Sequence, residues 1–151
     1  MATTIRLQAD FKEFLKLLAL NNVEYLLIGG YAVAYYGYSR PTGDMDVWIA
    51  ISPRNAQRVV TALREFGFTP SIENFLEQNS VVRMGVPPFR LEIITSIDGV
   101  SFRECYAARN TVVIDEMEVN LIDLHHLRVN KQASGRLKDL SDLENLPEKE
   151  S

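Results

Sequence analysis

Residues 24–28 (Glu-Tyr-Leu-Leu-Ile) are apolar after the first position and stop on two glycines, Gly29 and Gly30. A run this short, closed by paired glycines, reads as a buried strand ending in a tight turn. Residues 31–36 are apolar and alanine-containing and close at Gly37, which predicts a short helix. A buried strand must be covered by other elements, and the rest of the chain supplies them.

Further strands are expected over 45–51, 81–86, 89–95, 111–114 and 117–122, the last two turning at Asp115-Glu116. Phe11, Phe14, Leu15 and Leu18 recur at helical spacing and predict a helix over 11–20, with Asp10 and Glu13 as a capping box. Val59, Val60, Leu63 and Phe66 form a second stripe, opened by Pro53 and stopped at Gly67. A short helix is expected over 102–107, and two more over 123–133 and 137–146, parted by Gly135. Residues 39–43 read as a loop, and 72–79 give no clear period. Strands and helices mix without strict alternation. The expected fold is therefore α+β (α/β), a mixed β-sheet flanked by helices with a helical C-terminal segment. A single domain over 1–146 and a polar tail over 147–151 are expected.

Composition narrows the function. With 151 residues, 46% of them hydrophobic, the chain can bury a real core. The one cysteine, Cys105, excludes an internal disulfide framework and a cysteine-based zinc site. No apolar run reaches the roughly 18 residues of a membrane span. The first residues show no basic segment followed by an apolar stretch, so a cytoplasmic protein without a membrane partner is expected. The net charge of −4 argues against coating long nucleic acid. A local basic patch remains, with Arg128, Lys131, Arg136 and Lys138 close together.

The chemistry concentrates between Gly29 and Asp46. Free N–H groups where a glycine turn opens a helix attract phosphate, although many such turns carry Gly-Gly for steric reasons alone. Asp44 and Asp46 alternate at the start of a strand, so both carboxylates share a face. Two anions held close need a cation, or their pKa values rise. Magnesium suits them, because it takes hard oxygen ligands and leaves room for water and phosphate oxygens. A solvated strand entry explains an isolated Asp-x-Asp equally well. Glu92 interrupts an otherwise apolar strand and has two readings, a same-face pair with Arg90 or a third carboxylate beside Asp44 and Asp46. Arg40 matches phosphate geometry and the Thr42 hydroxyl can orient an aspartate, though each singly reads as a loop residue.

Gly29-Gly30, thirteen intervening residues, then Asp44-Met-Asp46 resembles the nucleotidyltransferase superfamily that includes DNA polymerase beta. The fuller pattern with Arg40-Pro-Thr42-Gly is similar to its minimal branch, which includes AbiEii-type toxins of bacterial toxin–antitoxin systems. The segment from Lys131 through Arg136, Lys138 and Asp139 to Asp142 is similar to a later motif of that branch. The resemblance implies transfer of a nucleoside monophosphate from a nucleoside triphosphate to a hydroxyl acceptor, whether a tRNA end, a protein or a small molecule. It implies two magnesium ions, replaceable by manganese, held by Asp44, Asp46 and Glu92. Gly29 and Gly30 would hold the triphosphate, with Lys131 and Asp139 near it, followed by Arg136 and Lys138 and by Arg40 and Thr42. A partner protein of a two-component module is implied as well. The alternative is a catalytically degenerate fold that binds nucleotide or protein. Without the resemblance, the C-terminal segment reads as an exposed helix with Arg136–Asp139 and Lys138–Asp142 ion pairs.

Other conspicuous residues read as packing. His125 and His126, adjacent on a helix, point about 100° apart and suit no shared metal. Cys105 reads as a small buried hydrophobe. Trp48 reads as core, and Tyr31, Tyr35, Tyr36 and Tyr38 chiefly as helix-to-sheet packing.

Overall fold

The computed structural model describes residues 5–38, 43–86 and 89–150. Helix α1 spans Ala9–Leu20 and buries Phe11, Phe14, Leu15 and Leu18, the stripe expected from the sequence. Its cap differs from the expected box: Gln8 takes the N-cap place and its side chain accepts from the Asp10 backbone N–H. Asp10 falls in the first turn, where a carboxylate favours the helix dipole. Strand β1, Tyr25–Ile28, is buried throughout and runs directly into α2, Gly29–Tyr35. Strand β2 is Asp44–Ile49. Helix α3, Pro53–Phe66, starts on a Ser52 cap that accepts from Asn55 N–H, and Gly67 ends it. The stretch without a clear period holds one 3-10 turn, Ile72–Phe75, whose Phe75 is buried.

Two strand pairs follow. Strands β3, Val81–Val86, and β4, Phe89–Ile94, form the first. Helix α4, Phe102–Ala107, leads to β5, Asn110–Ile114, and β6, Met117–Leu121. Asp115 and Glu116 turn that hairpin with positive φ angles of 47° and 68°, the signature of a tight two-residue turn. Helices α5, Leu124–Ser134, and α6, Leu137–Asn145, finish the chain. Gly135 sits between them at φ 68°, a left-handed cap that glycine adopts without steric cost.

The strands make one mixed sheet in the order β3-β4-β2-β1-β6-β5. β2 lies antiparallel to β1 and parallel to β4, and β1 lies parallel to β6. The edge pairs β3–β4 and β5–β6 are antiparallel. Alternation along β4 gives each face its role: Leu91 and Ile93 are buried, whereas Arg90, Glu92 and Ile94 point the other way and are only half-buried. Met84 and Leu91 lie with Phe11 of α1 and Phe66 of α3 around one pocket on the core face. Each large apolar side chain buried there contributes about 1.5–3 kcal/mol. The polar face of β2 and β4 is left to the α5–α6 corner.

That corner is pinned by an arginine. Arg128 Nη1 donates to the carbonyl oxygens of Leu143, Leu146 and Pro147 at 3.2–3.3 Å, and so binds the end of α6 to α5. Among the described residues no helix is long and apolar enough to cross a membrane.

Candidate active site

The sheet register assembles the site. Asp46 stands opposite Glu92, and Asp44 opposite Arg90, across the parallel β2–β4 pair. Arg83 stands opposite Glu92 across β3–β4. Residues directly opposite share a face, so these five side chains form one charged plate. Glu92 has both of the neighbours weighed for it: it lies opposite Asp46, and its Oε1 is 3.3 Å from Arg90 Nη2 in an ion pair. The same Arg90 nitrogen is 3.1 Å from Asp44 Oδ2, and Arg83 Nε is 3.0 Å from Glu92 Oε1.

Asp46 is the strained member. Its Oδ1 is buried and has no hydrogen-bond partner among the described residues. Burial, the hydrogen bond to Glu92, and the charges of Glu92 and Asp44 push its carboxyl up to about 7, against a smaller pull downward from Lys138. For Glu92, burial works upward. The hydrogen bonds from Asp46 and Arg83 and the charges of Arg83 and Arg90 outweigh it and hold the carboxyl below its usual range. A rise was expected for crowded acids, and it falls on Asp46, the one turned inward.

Gly29 explains why that position has no side chain. Its φ is +71°, and a Cβ there would run into Asp46 Oδ2. The turn is closed over the aspartate by close approach as well as by backbone conformation. No side chain caps the first turn of α2.

A cleft of about 410 Å³ opens from this plate toward the C-terminal helices. Gly29, Asp46, Arg83 and Glu92 line one side, and Asn130, Lys131, Ser134, Arg136, Lys138 and Asp139 line the other. The fold thus gathers Gly29, Asp46, Glu92, Lys131, Arg136, Lys138 and Asp139, all expected from the sequence. Gly30 is buried in α2 and does not line the cleft, and Asp44 sits beside Arg90 outside the lining. Arg40 and Thr42 lie outside the described residues.

The lysine at this corner has a different setting from the one expected. Lys131 is 6% exposed, and its Nζ lies 3.0 Å from Asp139 Oδ1 and 3.1 Å from Asp142 Oδ2. Asp139 also accepts from Ser134 Oγ and, at 2.8 Å, from Arg136 Nε. Burial works to raise the Asp139 carboxyl, but these three donors hold it down at about 2. The Arg136–Asp139 helical pair expected from spacing is present, while Asp142 turns to Lys131. Within this network Lys131 is held by two carboxylates that a phosphate would have to displace.

The residues read as packing behave as such. Cys105 is buried, and burial followed by nearby acids pushes its thiol up to about 12. Trp48 Nε1 donates to Thr95 O at 3.2 Å, and its ring stands edge-on to Phe102. His126 Nδ1 meets the Asp123 carboxylate at 2.7 Å, and Tyr36 donates to Ile122 O at 2.6 Å. None of the four tyrosines lines the cleft. Sequence reasoning missed Arg83, an alternate residue of an edge strand whose neighbour across the sheet no local pattern gives.

The residues present fit a hard divalent cation, since the orphaned Asp46 oxygen and its neighbouring carboxylates are the oxygen donors magnesium takes. Among the described residues, however, no three His, Cys, Asp or Glu side chains are grouped to hold a metal. A cation here would draw further oxygens from water or phosphate, as magnesium commonly does.

No family model and no curated protein sequence matches the chain. Solved structures do. One, described as "a putative nucleotidyltransferase" from Thermotoga maritima, aligns with a TM-score of 0.58 at 15% identity, over 89% of this chain and 86% of that one. Another, an antigenic nucleotidyltransferase-like protein from Paracoccidioides brasiliensis, aligns with a TM-score of 0.54 at 19% identity, over 91% of this chain and 74% of its own. At these identities the likeness concerns architecture, and the architecture agrees with the mixed sheet and flanking helices described above: the chain has the nucleotidyltransferase fold.

Proposed function

We propose that the chain is a magnesium-dependent nucleotidyltransferase that moves a nucleoside monophosphate from a nucleoside triphosphate to a hydroxyl acceptor. One observation carries the reading: Asp46, in register with Glu92 and tight under the Gly29 turn, lines a cleft shared with Lys138 and keeps a buried oxygen that has no hydrogen-bond partner among the described residues. Asp44, Asp46 and, once freed from its arginines, Glu92 would hold the metal. Magnesium would offset phosphate charge and lower the pKa of the acceptor hydroxyl. Gly29 lets the backbone close onto Asp46, the first turn of α2 keeps no side-chain cap, and Lys138 adds positive charge to the cleft. Lys131, Asp139 and Asp142 hold the α5–α6 corner that forms the far wall. In the reaction the acceptor hydroxyl would lose its proton to solvent and its oxygen would bond to the α-phosphorus, while the bond from that phosphorus to the α,β-bridging oxygen breaks and pyrophosphate leaves with that oxygen. The protein's share is positioning and electrostatics.

The motif order in the sequence supports the AbiEii-type branch and a role in a two-component toxin–antitoxin module, in the cytoplasm. The acceptor is a tRNA end, a protein hydroxyl or a small molecule. A second reading is favoured by the two arginines on Glu92 and the absence, among the described residues, of an open three-acid group: a degenerate member that binds nucleotide or a partner protein without transfer. Calorimetric titration with each of the four ribonucleoside triphosphates, in Mg²⁺ and in EDTA, tests both. Binding that requires magnesium and is lost in Asp44→Ala/Asp46→Ala supports the site and justifies an acceptor search with labelled nucleotide. Absence of binding to all four by folded protein moves the assignment to an interaction module.

A further inference from the structure

We propose that Arg83 and Arg90 compete with the divalent cation for the acidic plate: their guanidinium groups hold Glu92 and Asp44 in the metal-free protein and set how tightly a cation binds. The inference rests on the metal-dependent reading of the site.

The placement is built into the sheet. Arg83 is opposite Glu92, and Arg90 is opposite Asp44, by strand register. Both contacts to Glu92 fall on one oxygen, Oε1, at 3.0 Å from Arg83 and 3.3 Å from Arg90. Arg83 takes a lone pair of that oxygen in a hydrogen bond, and the two positive charges beside it repel any cation that approaches. Arginine stays charged at every relevant pH, so these groups yield the carboxylates only by moving away.

Both can move. Arg83 belongs to an edge strand and its side chain is 58% exposed. Arg90 keeps a buried Nε without a partner among the described residues. Its carboxylates hold it there, rather than a full set of hydrogen bonds. Three carboxylates face two guanidiniums, so most of the negative charge of the plate is already offset without a metal. The same competition accounts for the absence, among the described residues, of an open three-acid group. Arg83 also lines the cleft, so a guanidinium released by a cation meets the space meant for phosphates. Cation and triphosphate would then each favour the other's binding, with equal coupling in both directions.

The test is Mn²⁺ titration of the full chain without nucleotide, read by the electron paramagnetic resonance of free Mn²⁺. The variants are Arg83→Gln, Arg90→Gln, Arg90→Lys and Asp46→Asn, each first shown folded by a cooperative melt. Arg90→Gln is expected to tighten Mn²⁺ binding about tenfold, and the more exposed Arg83→Gln about threefold. Arg90→Lys keeps the charge and is expected near wild type. Arginine variants that bind Mn²⁺ no better than wild type, or more weakly, overturn the competition. If Asp46→Asn abolishes binding while the arginine variants match wild type, only the competition fails. If wild type and every arginine variant bind no Mn²⁺, the metal-dependent reading fails with it.

Discussion

Asp46→Asn separates a functional carboxylate from a structural one. The folded carboxyl titrates near 7 against an ordinary value of 3.8. Between those values the folded chain binds more proton than the unfolded chain, so stability falls as pH rises through that window, and the full penalty stands above about pH 7. At about 1.4 kcal/mol per pH unit, the interval bounds the penalty at about 4 kcal/mol. Solvent at the cleft and the opposing charge of Lys138 reduce it, and about 1–2 kcal/mol is the working figure. Asparagine cannot ionise, and its amide can still donate to Glu92 in place of the carboxyl proton. In EDTA, urea denaturation should show Asp46→Asn about 1–2 kcal/mol more stable than wild type at pH 8, and the gap should narrow to less than half of that at pH 5. Adding millimolar Mg²⁺ should stabilise wild type only. A variant that is destabilised equally at both pH values would refute the reasoning and assign Asp46 a structural role.

Gly29→Ala places a side chain at φ +71° against Asp46. It should cost about 1–3 kcal/mol by thermal melt and also weaken nucleotide binding, and an unchanged melting temperature would deny the close approach. Lys131→Met removes the cation that Asp139 and Asp142 share in a buried setting and should cost about 3–5 kcal/mol at pH 7; loss of nucleotide affinity with stability intact would instead make Lys131 a phosphate ligand. Asp139, held down at about 2, contributes stability that is present above its ordinary value of 3.8 and lost as pH falls toward 2. Acid unfolding of Asp139→Asn should therefore be less steep across that window than that of wild type. Lys138→Ala should weaken triphosphate binding severalfold with no change in melting temperature, which calorimetry and a melt decide together.

How far the sequence reached is clearest at Glu92. Its charge in an apolar strand was visible, and so was Arg90 two residues before it, but the two explanations competed because local period says nothing about which strand lies alongside. The β2–β4 register sets Glu92 opposite Asp46 while leaving Arg90 within ion-pair reach, and that register depends on a parallel pairing with α3 and the β3 hairpin strand between the partners in sequence. Helix stripes and strand runs were legible because burial imprints a period of 3.6 or 2 on neighbouring residues. Helix caps were less so: Gln8 displaced the expected Asp10 box through one side-chain hydrogen bond. The basic patch shows the deeper limit. A sequence displays charges without their partners. Arg128 is taken by carbonyl oxygens, Lys131 by two buried aspartates, and Arg136 by Asp139. Four clustered cations therefore do not make an anion site of fourfold strength. Of the four, Lys138 both lines the cleft and acts on the Asp46 carboxyl. The cations that bear most directly on the acidic plate are Arg83 and Arg90, brought in from another part of the chain by strand pairing. Electrostatic control of this cleft thus belongs to the sheet register, and changing the pairing of β3 or β4 would alter it more than changing the net charge of the C-terminal helices.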